Sequence, residues 1–288
     1  MSVQAESSSP SASSGGDRTG REFWDRWWEK SPLPASLDPY RRGLKNYPVR
    51  KLHEYFESVF EGHETEGKKL IEIGCAQSVI LPYLAKQFGF EVWGIDQSKL
   101  GCERSRMVLE REQVRGEVCC CDFFAIPESL RGQFDVVFSM GVVEHFENTA
   151  DAVRAMSMLL KPGGRMITTI PNFTGFLRSY QKLLDRAIYE VQVPLDREGL
   201  NRAHQDAGFE VESCEYFLPI SLEVLNVASW PRRLPYWITV RTHGVISRAV
   251  WLVDDHFAIF KPNRWTSPFV HCVARKPKSS GGRGGGDP

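Results

Sequence analysis

Short, continuously apolar runs alternating with helical stretches constrain this chain more than any other feature. KLIEIG (69–74), EVWGID (91–96), EVCCCD (117–122) and FDVVFSM (134–140) read as strands, as do RMITTIP (165–171), FEVESCEYF (209–217) and SPFVHCVARK (267–276). Residues 78–88, 98–114, 149–160 and 196–207 read as helices, the third stopped by Lys161-Pro162-Gly163-Gly164 and the fourth by Gly208. Strands apolar on both sides, each followed by a helix, fit a mostly parallel sheet covered on both faces. The expected fold is therefore α/β, a doubly wound sheet. The two late strands, separated by a long segment, predict an antiparallel edge.

Three segments fall outside this alternation: 21–67, 171–194 and 218–264. They hold every tryptophan except Trp93 and Trp265. We read them as one mainly helical, aromatic-rich cap, with 21–67 as its N-terminal part and 171–194 as an insertion. The sheet domain then comprises 68–217 and 265–276. Within the cap, Phe23, Trp24, Trp27 and Trp28 lie at helical spacing, and Val49, Leu52, Tyr55, Phe56, Val59 and Phe60 form one helical stripe. Residues 1–20 and 277–288 are rich in Ser, Gly and Pro and read as disordered tails.

Lys plus Arg and Asp plus Glu both number 36, so no global field draws in polyanions, and a nucleic-acid partner is not expected. No run of 18 apolar residues predicts a membrane span, and the N-terminus lacks the pattern of a secretory signal. The seven cysteines form no CxxC pair, and the consecutive Cys119, Cys120 and Cys121 alternate faces in a strand. They read as small buried residues in a reducing cytoplasm, with no metal site.

Chemistry gathers at the carboxyl ends of the predicted strands. The first runs into Glu72-Ile73-Gly74-Cys75-Ala76-Gln77-Ser78, a turn of small residues before a helix. In doubly wound sheets, ligands bind at such ends. The second strand ends in Asp96, about 20 residues on, where a carboxylate can accept from a ribose diol. The third ends in Asp122-Phe123, a carboxylate and an apolar face suited to a purine.

These elements, with FDVVFSMGVVEHF (134–146) and LKPGGRMI (160–167), resemble the class I S-adenosylmethionine-dependent methyltransferases over residues 68–217 and the last strand. The resemblance implies a Rossmann-like seven-stranded sheet and S-adenosyl-L-methionine as cofactor. It implies that Glu72 and Gly74 lie under the methionine part with Cys75 beside them. Asp96 would bind the ribose with Gln97 adjoining, Asp122 and Phe123 would frame the adenine, and Met140 and Gly141 would line the pocket. Glu144 and His145 would face the sulfonium and the acceptor as candidate catalytic residues, and an imidazole suits a general base near neutral pH.

Ala76 and Ser78 stand where relatives often carry glycine, which makes positive φ less accessible. Their absence counts against a nicotinamide enzyme, whose pyrophosphate needs such glycines. Ser139-Met140-Gly141-Val142 lacks the tetrad of relatives that methylate adenine or glutamine amino groups. The charges Arg178, Lys182 and Arg186 read as one solvated helix face. The aromatic cap suggests a small hydrophobic or aromatic acceptor of secondary metabolism, with an indole-type ring carbon as the favoured case. An O- or N-acceptor, including a lipid or quinone, is the alternative. A catalytically silent cofactor-binding scaffold and a methyltransferase of macromolecules are competing classes. Oligomeric state is left open, a homodimer being one arrangement.

Overall fold

The computed structural model describes residues 16–225, 227, 230 and 234–278. Seven strands form one sheet: β1 (Lys69–Ile73), β2 (Glu91–Asp96), β3 (Gly116–Cys120), β4 (Phe134–Met140), β5 (Leu160–Pro171), β6 (Glu210–Phe217) and β7 (Phe269–Arg275). Their spatial order is β3-β2-β1-β4-β5-β7-β6. The first five pair in parallel, and β7 runs antiparallel to both β5 and β6. The order reverses between β1 and β4, so their carboxyl ends open a crevice there.

The helices are α1 (Gly20–Lys30), α2 (Tyr47–Phe60), α3 (Ile80–Phe88), α4 (Lys99–Arg111), α5 (Thr149–Ser157), α6 (Phe176–Leu184), α7 (Arg186–Glu190), α8 (Arg197–Asp206) and α9 (Leu234–Phe257). Two apolar layers follow from the period-2 alternation of the strands. On one face Ile71, Ile73, Val137, Met166 and Ile170 pack with α5 and α8. On the other, Leu70, Val92, Val136, Phe138 and Ile167 pack with α2 and α3.

The segment 21–67 therefore does not act as one cap. Its α2 belongs to the sheet sandwich, with Phe56 fully buried and 5.9 Å from the Phe138 ring. Only α1 lies over the carboxyl ends, packed on α4. The tail expected to reach residue 20 also ends earlier. Asp17 bridges Phe146, and its carboxylate accepts from the amides of Thr19 and Gly20 at the start of α1. Residues 1–15 and 279–288 of the expected tails lie outside the described residues.

The turn expected at 161–164 is instead the start of β5. Leu160 already pairs with Phe134, and the register shifts before Arg165 pairs with Val136. The preceding helix stops at Ser157, three residues early, because Leu160 enters the sheet. Gly163, at φ +79°, takes the irregularity, and Lys161 bonds Asp135 at 2.7 Å.

The parts of the cap that follow β5 and β6 do pack together. Phe173, Leu177 and Tyr189 from the first insertion meet Leu222 and Leu225 from the second. The last helix, α9, is tied back to α2 by the Tyr47–Trp251 ring stack at 5.7 Å and by the Tyr47 hydroxyl donating to Asp254 at 2.5 Å. Replacing Phe56 by alanine removes the ring that joins α2 to the sheet. Unfolding free energy from urea titration should fall by about 3–5 kcal/mol.

Candidate active site

A cavity of about 840 Å³, counting its open mouth, lies at the carboxyl ends of β1, β2 and β4. Its floor includes Gly74, Asp96, Gln97, Met140 and Gly141. Asp122 and Phe123 form one wall, continued by Phe124 and Phe146. His145 closes another side, with Trp24 and Trp28 of α1 above it. Eight of the eleven expected site residues thus share one cavity. Glu72, Cys75 and Glu144 do not line it.

The first turn holds its shape without glycine at 76 or 78. Positive φ falls at Gly74 (+74°) and Gln77 (+47°) instead. A side chain on Gly74 would press its Cβ within 2.6 Å of Val142, so this position must stay bare. The Ala76 amide donates to Asp96 Oδ2 at 3.1 Å, and the Ser98 amide donates to Oδ1 at 2.8 Å. Asp96 thereby fixes both turns while keeping further lone pairs for a ligand in the cavity. Burial is the largest influence on its carboxyl, which titrates at about 6.

β3 ends at Cys120, two residues before Asp122, whose side chain instead caps the following 3-10 turn by accepting from the Phe124 amide at 2.9 Å. Asp122 still borders the cavity. Capping and a ligand contact are compatible, since one carboxylate oxygen suffices for the cap.

The three residues outside the cavity are buried behind it. Glu72 accepts from the Ser78 hydroxyl at 2.5 Å, and burial pushes its carboxyl up to about 8. Cys75 sits under the turn, its carbonyl accepting from Ser105 Oγ at 2.7 Å, and burial holds its thiol protonated. Both Glu144 carboxyl oxygens are buried without a partner among the described residues, and desolvation raises this group to about 8 also.

His145 is oriented from several directions. Its Nδ1 lies 2.9 Å from the Val191 carbonyl, its own carbonyl accepts from the Arg18 amide at 3.0 Å, and the Trp24 ring meets it edge-on at 5.2 Å. A carbonyl can only accept, so Nδ1 carries the proton and Nε2 is left with a lone pair. Desolvation by burial lowers the pKa of the imidazole, so it is neutral at physiological pH.

Asp17 and Thr19 border the cavity but were not singled out by sequence, because a Ser/Gly-rich stretch carries no packing signal. Thr19 Oγ1 accepts from Trp24 Nε1 at 3.0 Å. Trp28 Nε1, by contrast, is buried with no partner among the described residues, a donor left over beside the cavity.

Comparison with known proteins decides the family. The model of a methyltransferase domain family (Methyltransf_23) matches residues 40–214, more than half of the chain. The chain belongs to this methyltransferase family. It is an S-adenosylmethionine-dependent enzyme of class I. The ubiquinone biosynthesis O-methyltransferase of Azoarcus sp. is 28% identical over 65% of this chain and 79% of its own length. That of Neisseria meningitidis serogroup C is 28% identical over 57% and 64% respectively, so the chain spans less than two thirds of that relative. Among solved structures, the geranyl diphosphate C-methyltransferase of Streptomyces coelicolor superposes with TM-score 0.56 at 15% identity, over 89% of this chain and 97% of that one. The phosphoethanolamine N-methyltransferase 2 of Haemonchus contortus gives 0.54 at 15%, over 90% and 60%. At such identity the likeness concerns the fold. Relatives named for O-, C- and N-transfer leave the acceptor to be argued from the site.

The cavity suits the cofactor by its own chemistry. Asp96 offers acceptor oxygens, Phe123 an apolar face, and Trp28 Nε1 an unused donor. Asp96→Ala should weaken S-adenosylhomocysteine binding by about 10- to 100-fold in calorimetric titration, the loss of a charged acceptor. A second expectation concerns Glu144. Its carboxyl stays protonated up to about pH 8 in the folded protein but titrates near 4.5 when unfolded. Between these values the unfolded chain binds fewer protons, so stability falls as pH rises. Glu144→Gln should flatten this slope and raise stability at pH 8 by about 2–3 kcal/mol relative to wild type, read from denaturation at pH 5 and pH 8.

Proposed function

We propose that this enzyme methylates a hydroxyl oxygen of a small, flat aromatic acceptor of the phenol or quinol class. The observation that carries the reading is His145. It is neutral, its Nδ1–H is committed to Val191, and its Nε2 has no hydrogen-bond partner among the described residues. A phenolic hydroxyl must lose its proton as it attacks, and Nε2 is the acceptor available at the cavity wall. The aromatic walls from Trp24, Trp28, Phe124 and Phe146 suit a flat ring and exclude water around it.

Asp96 with Gln97, together with Asp122 and Phe123, would hold the cofactor's adenosine. Gly74, Met140 and Gly141 would border its methionine part, over Glu72 and Cys75. S-adenosylmethionine bound there supplies a methyl group on an activated sulfonium. The residues then contribute positioning, desolvation and a proton acceptor. Glu144 acts through placement of its loop, being behind the wall rather than in it.

The O-acceptor is favoured over the indole-type carbon by the relatives named as ubiquinone O-methyltransferases. No feature of the cavity selects a ring carbon. Incubation with labelled S-adenosylmethionine and a panel of catechols, hydroxyquinols and indoles tests the reading. Label should appear as an aryl methyl ether; label only on carbon or nitrogen, or only on protein, would sink it. His145→Ala should lower kcat at least about 100-fold while leaving S-adenosylhomocysteine affinity nearly unchanged. In the wild type, kcat should rise with pH through a limb below pH 6.5, since protonation of His145 removes the base, and level off above it.

A further inference from the structure

Most surface helices bury an apolar stripe and turn polar residues to water. The last helix departs from this: apart from Trp251 and Gly244, the residues it buries are polar. The residues α9 buries include His243, Ser247 and Asp254, each satisfied by a partner: His243 Nε2 pairs with the Tyr180 hydroxyl, Ser247 Oγ accepts from the Leu222 amide, and Asp254 accepts from Tyr47. Its outer side shows Leu234 (71% exposed), Trp237 (50%), Val245 (60%) and Leu252 (61%). The neighbouring α6, joined to α9 through the Tyr180–His243 bond, adds Phe176 (55%) and Leu183 (80%). So many large apolar side chains on adjoining helices are not ordinary surface scatter.

The charges on this face have one sign. From Leu234 to Val253 the sequence has Arg241 and Arg248 and no acidic residue. On α6, Arg178 and Lys182 are exposed. Among the described residues, Arg178, Lys182 and Arg241 have no acidic partner; Arg178 and Lys182 lie over the Tyr189 ring at 6.0 and 4.6 Å, which leaves their charge uncompensated. The acids nearby are already paired: Glu223 with Arg248, Glu190 with Arg186, and Asp255 with Arg50. A chain of zero net charge thus carries a local cationic surplus interleaved with exposed Trp, Phe and Leu. No helix among the described residues is long and apolar enough to cross a membrane. Apolar side chains mixed with unpaired cations and an interfacial tryptophan match a surface that is anionic outside and hydrocarbon beneath.

We propose that the face formed by α6 and α9 docks on an anionic phospholipid bilayer, lying in its headgroup layer. A second copy of this chain is a poorer occupant, because a two-fold contact would set the same unpaired cations against one another. The face also connects to the catalytic cavity. The chain passes from α6 through α7 to Val191, whose carbonyl holds His145. Docking would place a membrane-dissolved acceptor close to the enzyme, but the proposal does not depend on which atom is methylated.

The test is vesicle flotation of the full chain. Protein should float with phosphatidylcholine vesicles containing phosphatidylglycerol, far less with phosphatidylcholine alone, and less as salt is raised. Trp237→Ser with Leu252→Ser should abolish flotation. Lys182→Gln with Arg241→Gln should lower the partition coefficient on the order of tenfold or more. Melting temperatures by circular dichroism should stay near wild type for the glutamine pair, so at least one variant reads binding rather than folding. Wild type failing to float, or floating unaffected by either pair, would overturn the proposal. So would a dimer in sedimentation analysis that both pairs dissociate, which would mark the face as a contact between copies.

Discussion

The cavity depends on one carboxylate. Asp96 ends β2 and accepts two amides, one from the turn after β1 and one from the turn before α4. Without it both amides would be buried donors lacking partners, a cost of about 1–3 kcal/mol each. The same two turns approach closely because Gly101 has no side chain. A Cβ there would lie 2.6 Å from that of Ala76. The small residue at 76 is thus part of a tight contact between loop and helix rather than a weakened glycine turn. Asp96 reaches the cavity with its position already set, so binding a ligand requires no ordering of this group.

The roof is built on that floor by the beginning of the chain. Gly16 and Arg18 exchange backbone hydrogen bonds with Glu147 and His145, and α1 then crosses toward α4, where Asp25 accepts from Ser98 Oγ at 2.5 Å. Ser98 also caps α4 through the Gly101 amide. The N-terminal segment, the base and the floor therefore share one network. His145 takes its backbone position from Arg18, its ring tautomer from Val191 and its ring setting from Trp24. Two segments distant in sequence, 18–24 and 191, converge on one imidazole, the positioning that a displacement reaction needs.

The sheet was legible because its strands are continuously apolar and end in chemically distinctive residues. Asp96, Asp122 and Met140 could be placed at one end of the sheet before any coordinates. The helical stripe Leu52, Tyr55, Phe56, Val59 and Phe60 revealed that one face of α2 is buried. Periodicity does not say against what, and the partner proved to be the sheet rather than a cap. Composition marks residues 16–20 as a tail for a related reason: their order comes from backbone pairing to residues 145–147, which leaves no trace in composition. At Lys161-Pro162-Gly163-Gly164 the turn chemistry was real, but it serves a strand irregularity. Glu72 and Glu144 belong to the expected motifs, yet burial behind the wall is a tertiary fact that motif spacing cannot reveal.

Burial sets the charge state of several groups in and behind the site. Glu72 and Glu144 are pushed toward their protonated forms, and His145 and His204 toward their neutral ones, all chiefly by desolvation. Desolvation raises the Asp96 carboxyl as well, to about 6, and the two amides that favour its charged form offset only part of that rise. In the proposed reaction, the cofactor's positive charge would be dispersed over the acceptor and His145 as the phenolic proton passes to Nε2. A low-dielectric wall favours such dispersal, because it solvates the concentrated charge of the reactant less well than water does. Keeping Glu144 neutral and behind the wall suits a cationic donor in an aromatic-walled pocket.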